Sequence, residues 1–305
     1  MQPEIPYSKL KTFYYVAINK SFRKASLNLF VTEGAVSHQI KDLGSRLGKK
    51  LFERSNKRTE LTPDGANLFS LIAPIIERLE NVVDEFQEKS GVLRGEIRPA
   101  SFEAMLLHIF PTYLDQFRNE FPECEIRLFS VSGRQIRSMV LSGEVDLGVG
   151  SVENLPEKIV GRELWQFDRY IITPLGHPLS KKKQMTIHDI ARYPIVMPGK
   201  GDTSCQALDR KLRTHNPNLR VTVEAGNWEV VAKYVELGFG VSVLPGICEN
   251  AKDNDRIYLR PSSDILWYSR YGILLKKGKY VSPAARALIK SLSKDLNVSS
   301  LEQEV

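Results

Sequence analysis

The sequence predicts a mixed α/β chain in three parts: a small all-α module with a hairpin wing, one long helix, and a longer α/β region that divides into two lobes. Three observations predict it. Short amphipathic segments with polar breaks fill residues 7–47, an apolar stripe with steps of four and three runs from Leu68 to Phe86, and strand-like and helix-like segments alternate from Glu96 onward.

The first helix spans Tyr7–Asn19, with Leu10, Phe13, Tyr14 and Ala17 turned inward. Two further short helices follow in residues 21–47. Their apolar positions, Ala25, Leu27, Leu29, Val36, Ile40, Leu43 and Leu47, fall at helical spacing. Ser21 and Thr32 are N-caps, because a hydroxyl there satisfies orphan backbone N–H groups, and Gly48 is a C-cap. The third helix carries Ser37, His38, Gln39 and Lys41 on its front, with Thr32, Glu33 and Gly34 at its start. A short helix with a buried back and a donor-rich front suits the major groove of DNA. Gln39 can pair with adenine, and Lys41 with phosphate or guanine. Residues 51–62 form two short extended pieces around a polar turn, with Arg54, Lys57 and Arg58 at the tip, within reach of a phosphate backbone or a minor groove. The plainer alternative is a solvated basic face on which His38 touches no base.

Thr62-Pro63 opens a long helix, with Thr as N-cap and Pro at the first position. Leu68, Ile72, Ile75, Leu79, Val82 and Phe86 form a heptad seam, flanked by Leu71, Ile76 and Val83, while Glu77, Arg78, Glu80, Asp84 and Glu85 lie off it. This is the pattern of a dimerising helix; packing onto the chain's own core is the alternative. Pro74 should bend the helix, and Gly91 and Gly95 mark its exit. The expected division is 1–62, 63–90 and 91–305. The last part splits into lobe I, about 91–162 plus 268–296, and lobe II, about 163–267. Expected strands are 125–131, 146–150, 170–173, 195–197, 221–224 and 240–244; expected helices are 104–119, 134–142, 187–191, 205–214, 228–236 and 283–296. Such alternation predicts largely parallel sheets.

Composition narrows the function classes. The 305 residues carry a net charge of +7. Residues 1–62 hold twelve Lys/Arg against five Asp/Glu, so the basic excess is concentrated at the N-terminus, as a phosphate-facing segment requires. No apolar run approaches the roughly 20 residues of a membrane span, and no secretory h-region is visible, so a cytoplasmic protein is expected. Cys124, Cys205 and Cys248 form neither a zinc pattern nor a disulfide framework. The nucleophile elbow, zinc-protease, P-loop and dinucleotide motifs are missing, so neither catalysis nor a metal or cofactor is expected.

The stretch SFRKASLNL, then TEGAVSHQIKDLGSRLGKKLFERSNKRTELTPDG, resembles the DNA-binding segment of LysR-type transcriptional regulators. The AVSHQI core, the LFER step and the LTPDG start of the linker helix match in order and spacing. The resemblance extends over the rest: FPECEIRLFSVSGRQIRSMVLSGEVDLGVGS is similar to the first lobe of the family's periplasmic-binding-protein-like effector domain, and LGHPL and NWEVVAKYVELGFGVSVLP are similar to its second. Thr186 to Ile190, Tyr193 to Val196 and Val230 to Gly238 fit the CysB-like, sulfur-responsive branch.

The resemblance implies a regulator that binds an interrupted palindrome of double-stranded DNA as a homodimer, assembles into a homotetramer through its effector domains, contacts RNA polymerase, and responds to a small-molecule co-inducer, with anions among the candidates. The positions that match the effector cleft are Ser101, Phe102, Glu103, Ser132, Gly133, Arg134, Gln135 and Ser151 in the first lobe, and Gly201, Thr203, Asn227 and Trp228 in the second, within a loop running from Gly199 to Ser204 and a helix start. Turn and capping chemistry explains the same Ser, Gly and Thr residues. Thr203 aligns with a ligand-binding threonine of the sulfur-responsive relatives. Cys205 lies beside this cleft and, with no second cysteine nearby in sequence, is expected to be an inert thiol. Three departures stand out. Glu33 stands where the family often has Gln. Arg98-Pro99 occupies an ordinarily apolar first strand, which should be irregular or at an edge. Glu103 disfavours a bare inorganic anion. A solute-binding protein and an α/β enzyme with an accessory nucleic-acid module are the rival readings.

Overall fold

The computed structural model describes residues 5–55, 58–89, 93–199, 203–247, 255–262 and 268–294. They form two compact units: Met1–Leu93 with Gly278–Pro283, and Arg94–Lys277 with the stretch from Ala284.

In the first unit, α1 (Tyr7–Asn19), α2 (Phe22–Leu29) and α3 (Glu33–Leu47) pack around Phe13, Val16, Ala25, Val36 and Leu43, all without solvent exposure. Burying each large side chain of this kind stabilises the fold by about 1.5–3 kcal/mol. The caps are where the sequence puts them. Ser21 Oγ accepts from the Lys24 N–H and Thr32 Oγ1 from the Ala35 N–H, both at 3.2 Å, and Gly48 ends α3 with φ 64°. Leu27 departs from the expectation: it is 69% exposed. Strands β1 (Phe52–Ser55) and β2 (Arg58–Leu61) form the antiparallel wing. Helix α4 (Pro63–Glu80) starts at Thr62, whose hydroxyl accepts from the Gly65 N–H at 3.0 Å, and runs through Pro74 without a break; the interruption comes at Asn81, before α5 (Val82–Lys89).

The apolar stripe that runs through α4 and α5 is divided between two tasks. Ile72, Ala73 and Ile76 are buried in the core of the helical module, and Leu68 packs against it, so Leu68 and Ile72 serve their own unit. Leu71, Ile75, Leu79, Val82, Val83 and Phe86 are exposed. Tyr14 donates to Glu77 at 3.1 Å and Tyr15 to Glu80 at 3.0 Å, which fixes α4 against α1. Burial, then Glu80, pushes the Tyr15 phenol up to about 12.

The second unit begins with β3 (Gly95–Ile97), β4 (Pro99–Ser101), α6 (Glu103–His108), α7 (Phe110–Glu120), β5 (Cys124–Ile126), β6 (Phe129–Ser130), α8 (Gly133–Ser142), β7 (Leu147–Ser151) and β8 (Ile159–Phe167). The first strand is interrupted at Arg98, as Pro99 suggested. β3 pairs with β5, whereas β4 changes partners to β6 and β7. The Asp146 carboxylate fills the break, accepting from the Arg98 backbone N–H at 2.9 Å and from its guanidinium at 3.1 Å.

Lobe II contains β9 (Arg169–Pro174), α9 (Ile187–Ala191), β10 (Ile195–Pro198), α10 (Thr203–His215), β11 (Val221–Ala225), α11 (Trp228–Glu236), β12 (Ser242–Pro245) and β13 (Ile257–Pro261). The chain then returns to lobe I through β14 (Ser269–Lys276) and α12 (Pro283–Leu292). Three expectations need correction here. The sheets are mixed rather than largely parallel, because β14 runs antiparallel to both β7 and β8, and β9 antiparallel to β12 and β13. The change of lobe falls at Asp168, so residues 163–167, expected in lobe II, belong to the lobe I sheet through pairing of β8 with β14. The expected helix 104–119 is two helices, α6 and α7, with Ile109 between them.

Candidate functional site

Helix α3 exposes one polar stripe. Glu33, Gly34, His38, Lys41 and Ser45 are exposed and Ser37 is half-buried, while Val36, Ile40 and Leu43 hold the opposite side in the core. Ser45, one turn beyond Lys41, is not among the residues the sequence pattern picks out. Glu33 occupies the first helical turn, where a carboxylate complements the helix dipole. Thr32 is engaged as the cap. Gln39 stands apart from the stripe: its amide oxygen accepts from the hydroxyl of buried Thr12 on α1. It therefore fixes α3 on α1, and only part of its hydrogen-bonding capacity remains for a base edge. Asp42 ties the same two helices through Lys9 and receives Arg46 at 2.9 Å; Lys9 first, then Arg46, holds its carboxyl below the usual range. At the wing, Lys57 lies outside the described residues, and so do the side chains of Arg54 and Arg58.

The second unit holds a cleft of about 400 Å³ between its lobes. Phe102 and Glu103 at the start of α6, the segment Ser130 to Gln135, and Ser151 supply one wall. Pro198, Gly199, Cys205, Gln206, Gly226 and Trp228 supply the other, and Tyr271 on β14 also lines the space. Within the second wall Gly199 lies against Gly226; a Cβ on Gly199 would stand 3.1 Å from the Gly226 Cα.

Several expected ligand contacts have local employment. Ser101 is fully buried and donates to the Val149 carbonyl at 2.8 Å, so it serves the sheet and not the cleft wall. Gln135 completes a capping box with Ser132, accepting from its N–H at 3.0 Å and its hydroxyl at 2.7 Å. Asn227 caps α11, accepting from the Glu229 N–H at 2.7 Å, and its amide donates to Glu103 of the opposite lobe. Gly201 lies outside the described residues, as does the side chain of Thr203.

Arg137, Tyr271 and Gln206 line the cleft without having been expected from the sequence. Arg137 is occupied by three carbonyls, of Glu153 at 2.7 Å, Asn154 at 3.1 Å and Ser151 at 3.3 Å. Tyr271, 1% exposed, has its ring 5.2 Å from that of Phe102. It sits in an apolar strand, and nothing in that local pattern marks it. Cys205 is buried in the lining.

Comparison with known proteins agrees with both halves. Residues 7–66 match the model for bacterial regulatory helix-turn-helix proteins of the lysR family, and residues 90–297 match the LysR substrate binding domain. SsuR, a transcriptional regulator of Burkholderia cenocepacia, is 27% identical over 93% of this chain and 92% of its own. IlvY of Escherichia coli is 28% identical over 93% and 97%. CysB of Burkholderia cenocepacia is 24% identical over 95% and 94%, so likeness to the CysB-like branch is weak. Full-length OxyR from Pseudomonas aeruginosa has the same fold, with a TM-score of 0.74 at 19% identity, covering 95% of each chain. With a helix-turn-helix domain followed by a substrate-binding domain over most of its length, this chain belongs to the LysR family of transcriptional regulators, whose members join a DNA-binding module to an effector-binding one.

Proposed function

We propose that this regulator works as a homodimer on an interrupted palindrome and that a small molecule held between the two lobes controls it. The observation that carries this reading is the polar stripe on α3, with Glu33, Gly34, His38 and Lys41 exposed and Ser37 half-buried. It presents donors and one carboxylate to the groove, with Lys41 outside the packing that holds Gln39. Glu33 accepts from cytosine N4 at the edge of the site. Arg54, Lys57 and Arg58 add phosphate contacts from the wing. The domain division is 1–62 for DNA, 63–90 for dimerisation and 91–305 for the effector.

The exposed apolar positions Leu71, Ile75, Leu79, Val82, Val83 and Phe86 support the dimer. A second copy of the helix covers them, and the twofold axis sets two recognition helices on successive half-sites. Contacts between effector domains extend the dimer to a tetramer, and RNA polymerase is a partner on DNA. The effector carries an anionic group that meets Arg134 at the α8 N-terminus. The protein acts in the cytoplasm by binding rather than by catalysis; no helix among the described residues is long and apolar enough to cross a membrane.

A gel shift with the DNA upstream of its own gene tests the reading. Binding should survive excess nonspecific competitor and fall steeply with salt, since each neutralised phosphate contributes about −0.9 to the log–log slope. Loss of the complex to competitor at low salt would refute it.

A further inference from the structure

Among the polar groups of the cleft wall, several are committed to local structure. Ser132 and Gln135 are held together in the α8 capping box, and Arg137 is held by three carbonyls. The same wall carries two more charged side chains: Arg134 in the first turn of α8, and Glu103, the first residue of α6.

Glu103 does more than line the space. Its carboxylate accepts from the side-chain amide of Asn227, on the opposite lobe. Asn227 uses its own oxygen to cap α11, so the amide N–H₂ is the end turned toward Glu103. The same pair of helices meets again where His108 of α6 lies 3.5 Å from Glu229 of α11. A carboxylate thus stands at the rim where the two lobes touch, and a ligand entering the cleft shares the space with it. Phe102, Tyr271 and Trp228 supply apolar walls between the polar groups.

Given the effector role proposed above for the cleft, on which this step rests, we infer that Glu103 makes it selective for a small ammonium-bearing carboxylic acid, an amino-acid-like zwitterion, and selective against bare inorganic anions. The ammonium meets Glu103 and the carboxylate meets Arg134 and the N–H groups that open α8. A sulfate or phosphate ion gains the second set of contacts but is repelled by the first. Asn227 places the Glu103 carboxylate, so the ligand's ammonium binds at the contact that joins the lobes, which couples occupancy to their closure.

The test is a thermal-shift and calorimetric titration of the full chain with inorganic sulfate, and with L-amino acids paired with their deaminated acids. Wild type, Glu103→Gln and Arg134→Ala are compared. Glu103→Gln keeps an acceptor for Asn227 while removing the charge. Its expected signature is sulfate binding at least tenfold tighter than in wild type, and loss of the wild-type preference for an amino acid over its deaminated partner. Equal sulfate affinity in wild type and Glu103→Gln, with Arg134→Ala weakened, overturns the selectivity and leaves the cleft reading standing. A ligand that stabilises all three proteins alike binds outside the cleft, which overturns the cleft reading and this inference with it.

Discussion

The reading stripe of α3 and the wall of the effector cleft are built in opposite ways. The stripe comes from one fifteen-residue helix, whose buried side fixes which residues face out. The cleft wall gathers short pieces from around residues 102, 130–137, 150, 198, 205, 226 and 271, across two lobes. In α3 the stripe stays exposed apart from half-buried Ser37, whereas in the cleft Ser101, Gln135, Ser151 and Asn227, all expected to touch a ligand, are engaged by neighbouring backbone. A site written on one helix can be read from periodicity. A site assembled from turns cannot, because turns need the same Ser, Gly, Asn and Gln for their own hydrogen bonds.

The largest expected effect tests whether the single-helix site works alone. Leu79→Glu places a charge in the exposed apolar stripe of α4, and analytical ultracentrifugation should show a monomer. Operator affinity should fall by about a hundredfold or more, because two tethered half-sites become one. A variant that remains a dimer and binds normally would show that this stripe has another use.

A smaller effect separates the two roles found within α3. Gln39→Ala deprives the buried Thr12 hydroxyl of its partner and should lower the stability of the helical unit by about 1–3 kcal/mol in denaturant unfolding. His38→Ala should leave stability within about 0.5 kcal/mol yet cost about 1–3 kcal/mol of discrimination between operator and mutant DNA. The opposite pattern would mean that Gln39 reads DNA and His38 does not.

The smallest effect concerns a capping carboxylate in lobe II. Lys182 first, and then Thr186, hold Asp189 down to about 2. A carboxyl depressed in the folded state adds stability that is present above its unfolded value, near 3.9, and is lost as the pH falls through about 2. Asp189→Asn should therefore flatten the acid limb of the stability curve between about pH 4 and pH 2. An unchanged limb would show that the Lys182 contact contributes nothing in solution.

Much of the fold was legible because capping and periodicity are local. Ser21, Thr32 and Thr62 cap the helices assigned to them, and α9 and α11 fall where their patterns put them. The strands β8, β13 and β14 escaped detection. They carry the chain across and along the lobes, and their partners are distant in sequence: Ser269 pairs with Phe167, and Ile257 with Pro174. For the same reason the antiparallel share of the sheets was not foreseen. Leu68 and Ile72 read as seam residues because spacing gives a stripe's period but not which neighbour covers it.

The sequence by itself determined the order of parts, the capped helices, the basic N-terminal module and the donor-rich stripe of α3, since each rests on residues within a few turns of one another. Only the tertiary structure decided that Gln39 is tied to Thr12, that Ser101 is buried in a sheet, and that Glu103 meets Asn227 across 124 positions of chain. Those pairings depend on how sheets and lobes close. Backbone donors and buried hydroxyls must find partners wherever the fold brings them, and no local pattern records which partner that is.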